Sequence, residues 1–322
     1  MTRPAHVDTR RRLPRGSVAA VMALWAVLAP PWSAPAAAQM QTQMVMPPTE
    51  ELPFTRPESW VLAHFTAATL LSGLPAPPAS RPWSVAAGLE LGWLPPLDAT
   101  QRRVGFNGRE EEDLNKSPVL PRIRVTIGLP ARFSAIVGFT PPIPMFGLKA
   151  SLLALGLERP LVERARWTLG LRGYGQFGSV RGDYTCPASV VAFEPGSPGN
   201  TGGCNAPSSD VASLRYVGGE ASIAYRPQGS GRFSPHAALG LSYADVGFQV
   251  DALTFGYADH TSYASHGTVF SASGGVNARL SSRFTLGVDA FYAPLSVGRG
   301  DGKPVENDGL FNIRALVVYR LR

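Results

Sequence analysis

The chain has 322 residues, with 30 Lys and Arg against 23 Asp and Glu, a formal charge of +7 and only 16% charged residues. Residues 1–38 carry five Arg and one Asp, so the remainder has 25 basic and 22 acidic groups and is close to neutral. No basic run interleaved with aromatics is present, which excludes a nucleic-acid surface, and beyond residue 38 no apolar run is long enough for a membrane-spanning helix.

Arg10, Arg11, Arg12 and Arg15 precede an apolar run from Val18 to Leu28, and Ala36-Ala37-Ala38 follows. A basic start, a short apolar stretch and small residues at a cleavage point predict a secretory signal peptide over 1–38. Residues 39–56, rich in Gln, Met and Pro, are expected to form a periplasmic leader. Residues 57–72 fit either a strand or a short helix lodged in the lumen, because apolar residues fall on both parities, Trp60, Leu62 and Ala68 on one and Val61, Phe65 and Ala67 on the other.

From Arg81 onward the chain alternates. Side chains in a strand point to opposite faces in turn. Trp83, Val85, Ala87, Leu89, Leu91 and Trp93 share one face, opposite Glu90. Residues 101–107 could add a short strand. Arg122 and Arg124 then oppose Ile123 and Val125, and Phe133 to Phe139 begins another strand that Pro141 to Pro144 breaks. Further strands follow over 145–158, around Trp167 to Gln176, 217–225, 237–243, 270–279 and 284–292, and Leu310 to Arg322 closes the series. The long connections near 181–210, 249–265 and 298–308 alternate with short ones at 227–231 and 281–282.

Trp83 and Trp93 lie ten residues apart at the two ends of one apolar face. At about 3.3 Å per residue and a tilt near 40°, they stand roughly 25 Å apart along a membrane normal, the height of the apolar band of a membrane barrel. Trp167, Tyr292 and Tyr319 are expected in the same aromatic girdle. Glu90, Arg122, Arg124, Arg166, Arg172, Glu220, Arg279, Asp289, Arg314 and Arg320 fall on the other parity and are expected to line a lumen with a positive excess. Such a set suits either passage of small anionic solutes or a salt-bridged, closed interior.

The signal segment, alternating strands, aromatic ends and loop alternation together resemble the bacterial outer-membrane β-barrel superfamily over residues 57–322. The resemblance implies an all-β, antiparallel transmembrane barrel in the outer membrane, with membrane lipids and the barrel-assembly machinery as partners. The ending Tyr319-Arg320-Leu321-Arg322 departs from the terminal aromatic common in that group. Such barrels have an even strand number. Eleven segments alternate, so the expectation is twelve strands, with 101–107 counted as one; the alternative is ten, with 57–72 as an internal N-terminal helix. The implied function is a channel or transporter for small polar or anionic solutes; the alternative is a closed barrel acting through its outer loops.

Other motifs carry less. Cys186 and Cys204 lie in one loop of an exported chain, where a disulfide is expected. Gly173 to Gly178 fits Gly-x-Gly-x-x-Gly but lies inside a strand, without the following helix a dinucleotide site needs. Arg181-Gly182-Asp183 and Arg299-Gly300-Asp301 resemble an adhesion tripeptide. The acidic run Glu110 to Asp113 could bridge divalent cations but matches no metal-loop spacing. His260 and His266 share a loop with several Ser, without a local hydrolase signature. No cofactor is expected.

Overall fold

The computed structural model describes residues 49–74, 81–227, 232–300 and 302–321. The expected signal peptide and most of the leader lie outside these residues. Ten antiparallel strands close into a ring. They are β1 (Val85–Trp93), β2 (Val119–Gly128), β3 (Ser134–Thr140), β4 (Lys149–Arg164), β5 (Trp167–Gly182), β6 (Asp210–Tyr225), β7 (Phe233–Gln249), β8 (Ser262–Arg279), β9 (Phe284–Ala293) and β10 (Leu310–Arg320). Each pairs with the next, and β10 closes on β1 with Ile313 opposite Trp93 and Arg320 opposite Ala86.

The expectation of twelve strands is therefore wrong. Residues 101–107 do not join the wall: Arg103–Val104 pairs with Glu110–Glu111 in a small hairpin of the β1–β2 connection. Residues 57–68 form helix α1 (Pro57–Ala68), which lies inside the ring. Pro57 begins it at a position where the missing amide hydrogen costs nothing. Nearly every residue of α1 is buried, and a helix buried on all sides shows no single apolar stripe.

The facing of the strands is that of a membrane barrel, oily outside and polar inside. On β1, Leu89, Leu91 and Trp93 are exposed while Glu90 is buried. On β10, Phe311, Ile313 and Val317 are exposed while Asn312 and Arg314 are wholly buried. The aromatic residues mark two levels. Trp93 and Tyr292 sit at the ends of their strands next to long connections, while Trp83, Trp167 and Tyr319 sit at the short-turn end. At that lower level Trp167 packs against Tyr225 and Phe284 against Tyr319, each pair with ring centroids 4.8 Å apart. Among the described residues no helix is long and apolar enough to cross a membrane.

All the long connections fall at one end of the ring and the short turns at the other. The wall is also uneven. Strands β4 to β8 have 16 to 18 residues, whereas β9, β10 and β1 to β3 have 7 to 11. Where β9 stops short, Glu50–Glu51 takes its place beside the upper part of β8, in parallel with Tyr263 and Ala264. The chain thus enters at the long-connection end, descends through the lumen as α1 and residues 69–74, and reappears below. There the Trp83 amide donates to the Gly128 carbonyl at the short-turn end, just before β1. The described part of the leader, Thr49 to Arg56, accordingly lies at the long-connection end.

Above the ring, strands Cys204–Ala206, Ala252–Thr254 and Tyr257–Asp259 form a separate three-stranded sheet. The expected disulfide joins Cys186 to Cys204 beside it, with the Cα atoms 5.6 Å apart. Asn200 braces this loop, its side chain donating to the carbonyls of Phe193 and Cys204.

Candidate functional site: the plugged lumen

A helix leaves its last carbonyls without intrahelical partners, and the negative end of its dipole lies there. In this protein the carbonyls that face the guanidinium groups of the wall begin at the C-cap residue Thr69 and continue along the segment after it. Arg122 donates to the Thr69 carbonyl. Arg314 Nη1 donates to the carbonyls of Leu70 and Ser72 at 2.9 and 2.8 Å. Arg172 Nη1 donates to those of Leu71 and Gly73, both at 2.9 Å. The amides of the same stretch find wall acceptors: Leu71 on the Tyr216 hydroxyl at 2.9 Å, Gly73 on Glu220 at 2.8 Å and Leu74 on Asp289 at 3.0 Å. Six consecutive residues, Thr69 to Leu74, are thus held through their backbone by wall side chains. Gly73 has φ +72°, and a side chain there would collide with the Asp289 carboxylate, so glycine is required on both counts.

The wall side chains are themselves paired. Arg124 and Arg122 flank Glu90 at 2.5 and 3.6 Å. Arg172 bridges Glu158 and Glu220 at 3.0 and 2.9 Å. His236 faces Asp289 at 3.4 Å, and the Arg314 guanidinium lies over the Phe291 ring, 3.7 Å from its centroid. Of the residues expected in the lumen, Glu90, Arg122, Arg124, Arg172, Glu220, Asp289 and Arg314 converge on this lock. Arg166 sits instead at a short turn, where it donates to the Tyr225 hydroxyl. Arg279 and Arg320 lie lower still, in an open vestibule of about 1140 Å³ beneath Leu74. That vestibule is strongly cationic: Arg226, Arg232 and Arg283 also line it, and Glu158 is the one acid on its walls among the described residues.

Glu158, Gln176 and Tyr216 were not among the expected lumen residues. Gln176 donates to the Thr69 hydroxyl at 2.9 Å, and Tyr216 both accepts from Leu71 and donates to the Thr69 carbonyl. Gln176 already shares the polar parity of Arg166, Arg172 and Tyr174 in the sequence. Glu158 and Tyr216 needed the strand register across to Arg172 and Gln176.

The remaining motifs are accounted for locally. Asp183 accepts from Lys116 at 2.7 Å and from the Ala188 amide at 2.9 Å. Arg299 is bonded to Asp308 and stacks over Trp60. Neither Asp183 of the first Arg-Gly-Asp triplet nor Arg299 of the second is free for a partner; Asp301 lies outside the described residues. Glu111 pairs with Arg102 and Asp113 with Lys116, and no cluster of metal-ligating residues occurs among the described residues. His260 faces Asp251 and His266 faces Glu51, and among the described residues no Ser hydroxyl bonds to either. His64 is buried in α1 beside Trp60 and Phe65.

A closed ring with an apolar exterior, a polar interior and long connections at one end defines an integral outer-membrane β-barrel. No family model and no curated protein matches the chain. Solved structures do. The outer-membrane protease OmpT of Escherichia coli aligns with 79% of this chain and all of its own, at 11% identity and a TM-score of 0.39. Ail, the attachment invasion locus protein of Yersinia pestis, aligns with 73% of this chain and 97% of its own, at 12% identity and 0.27. A FadL homologue of Pseudomonas aeruginosa aligns with 86% of this chain and 99% of its own, at 12% identity and 0.25. The likeness is one of barrel fold alone.

Proposed function

We propose that this protein is a closed outer-membrane barrel, shut by its own N-terminal segment, whose working surface is the long-connection end. The observation that supports this most is the backbone lock on Thr69 to Leu74, which uses the lumen charges that would otherwise attract a solute. The long-connection end is built as a platform: a disulfide and a three-stranded sheet stiffen it, and Phe193, Phe255 and Tyr257 are exposed at its tips. Exposed aromatic side chains on a stiff surface suit contact with another macromolecule. Purified full-length protein in a planar bilayer is expected to be electrically silent while showing the heat-modifiable mobility of a folded barrel. A steady open conductance overturns the reading.

The cationic vestibule favours a second reading, a channel or transporter for small anionic solutes that opens when residues 69–74 leave the lock. Removing residues 49–74 is then expected to yield an anion-selective current. A cation-selective current from that variant discards the anionic reading.

A further inference from the structure

The barrel wall has a seam on one side. Strand β3 ends at Thr140, and Pro141, Pro142 and Pro144 follow. Proline has no amide hydrogen to give to a ladder. Pairing between β2 and β3 runs from Gly128 opposite Ser134 up to Ile123 opposite Phe139 and stops, although β2 continues to Val119. The Thr140 hydroxyl, donating to the Pro121 carbonyl at 3.2 Å, links the two strands at the foot of the unpaired stretch.

Behind the seam, above the lock, lies a cavity of about 570 Å³. Its walls are mainly apolar, with Val61, Leu62 and Phe65 from α1 facing Leu152, Leu214 and Phe248 from the tall half of the ring, although Glu50, Arg56, Glu58, Glu112, Arg122 and Asp259 also border it. The same cavity is bordered by Leu89, Ile123 and Ile143, which are 48%, 47% and 60% exposed. Leu89 and Ile123 belong to the outward, lipid-facing parity of β1 and β2. One apolar space therefore joins the flank of α1 to the surface that meets the bilayer.

We propose that this cavity binds an alkyl chain that enters sideways from the outer leaflet through the β2–β3 seam. The volume lies in the range of about 300–1,000 Å³ usual for ligand sites. A polar solute would surrender its hydrogen bonds to water and find few in return, whereas the medium adjoining the seam is hydrocarbon. The chain belongs either to a free fatty acid or to a membrane lipid. This goes beyond the closed-barrel reading: a silent barrel can bind a chain and a conducting one can fail to, so the two tests fail separately.

The test uses full-length protein in phospholipid nanodiscs with two probes, palmitic acid carrying a chain diazirine and a phospholipid carrying the same chain. After illumination the labelled residues are mapped by mass spectrometry. Label on Leu62, Phe65 or Leu152 is expected, in addition to the unavoidable label on lipid-facing residues such as Leu239. Labelling by one probe or by both identifies the source. Filling the cavity with Leu152→Trp is expected to lower the interior label by roughly tenfold, as overpacking a site does, and to leave the label on Leu239 unchanged. Val61→Phe serves the same purpose where Leu152→Trp does not give a heat-modifiable barrel. Label confined to outward-facing residues, or interior label indifferent to both substitutions, overturns the proposal.

Discussion

Arg172 is where the lock is most exposed to test. Its guanidinium serves Glu158, Glu220 and the carbonyls of Leu71 and Gly73, and it is 4% exposed. Arg172→Met keeps the volume and removes every one of these bonds. Breaking a buried ion pair by deleting one partner costs about 3–5 kcal/mol, because the surviving charge stays buried. Each carbonyl left without a donor adds about 1–3 kcal/mol unless water reaches it. The vestibule below the lock lets water in, so a loss of about 5 kcal/mol is a reasonable expectation. That is comparable to the total stability of many domains, and it falls on the segment rather than on the ring, whose ladders are untouched. The variant is therefore expected to keep its heat-modifiable mobility while residues 57–74 become cleavable by protease. Replacing Glu158 and Glu220 by Gln in the same chain removes the stranded charges and should recover much of the protection. Protease resistance equal to the parent, or equal loss in the exposed-site control Arg279→Met, refutes the lock.

Three further outcomes follow from the same geometry. Gly73→Ala brings a side chain against Asp289 at a positive φ, so it should expose residues 69–74 to protease as Arg172→Met does. Replacing Cys186 and Cys204 by Ser removes about 3 kcal/mol of unfolded-state constraint; limited proteolysis should then cut within 187–203 while the barrel keeps its mobility. Glu112, in the β1–β2 connection, has its carboxyl pushed up from 4.5 to about 8 by burial, with Glu110 and Asp210 adding. The folded state then holds a proton that the unfolded state has released, so this group's contribution to stability falls as pH rises between those values and is constant above. Denaturation midpoints of Glu112→Gln should show a flatter slope than the parent over that window.

The ring was legible in the sequence because each wall residue reports its side through parity. Leu89, Glu90 and Leu91 alternate in the chain as they do in the fold. Residues 57–72 were ambiguous for a physical reason. Helix α1 is buried on all sides, so neither the two-residue nor the 3.6-residue period stands out. The even-number rule could then be met by adding 101–107 or by discarding 57–72, and nothing local decided between them. Parity also placed Arg122, Arg172 and Arg314 inside. What they hold was hidden, because backbone carbonyls carry no sequence signature. Pro141 to Pro144 announced a break in β3, but the cavity behind it depends on α1, β4, β6 and β7 meeting in space.

The route of residues 49–74 bears on how the molecule is made. They run from the long-connection end down to the lock inside the ring, and the ring is completed only where β10 meets β1. A finished cylinder could receive such a segment only by end-on feeding past Arg314, Arg172 and Arg122. Winding the wall around the segment would avoid that threading, and the β10–β1 junction would then close over a lumen already filled.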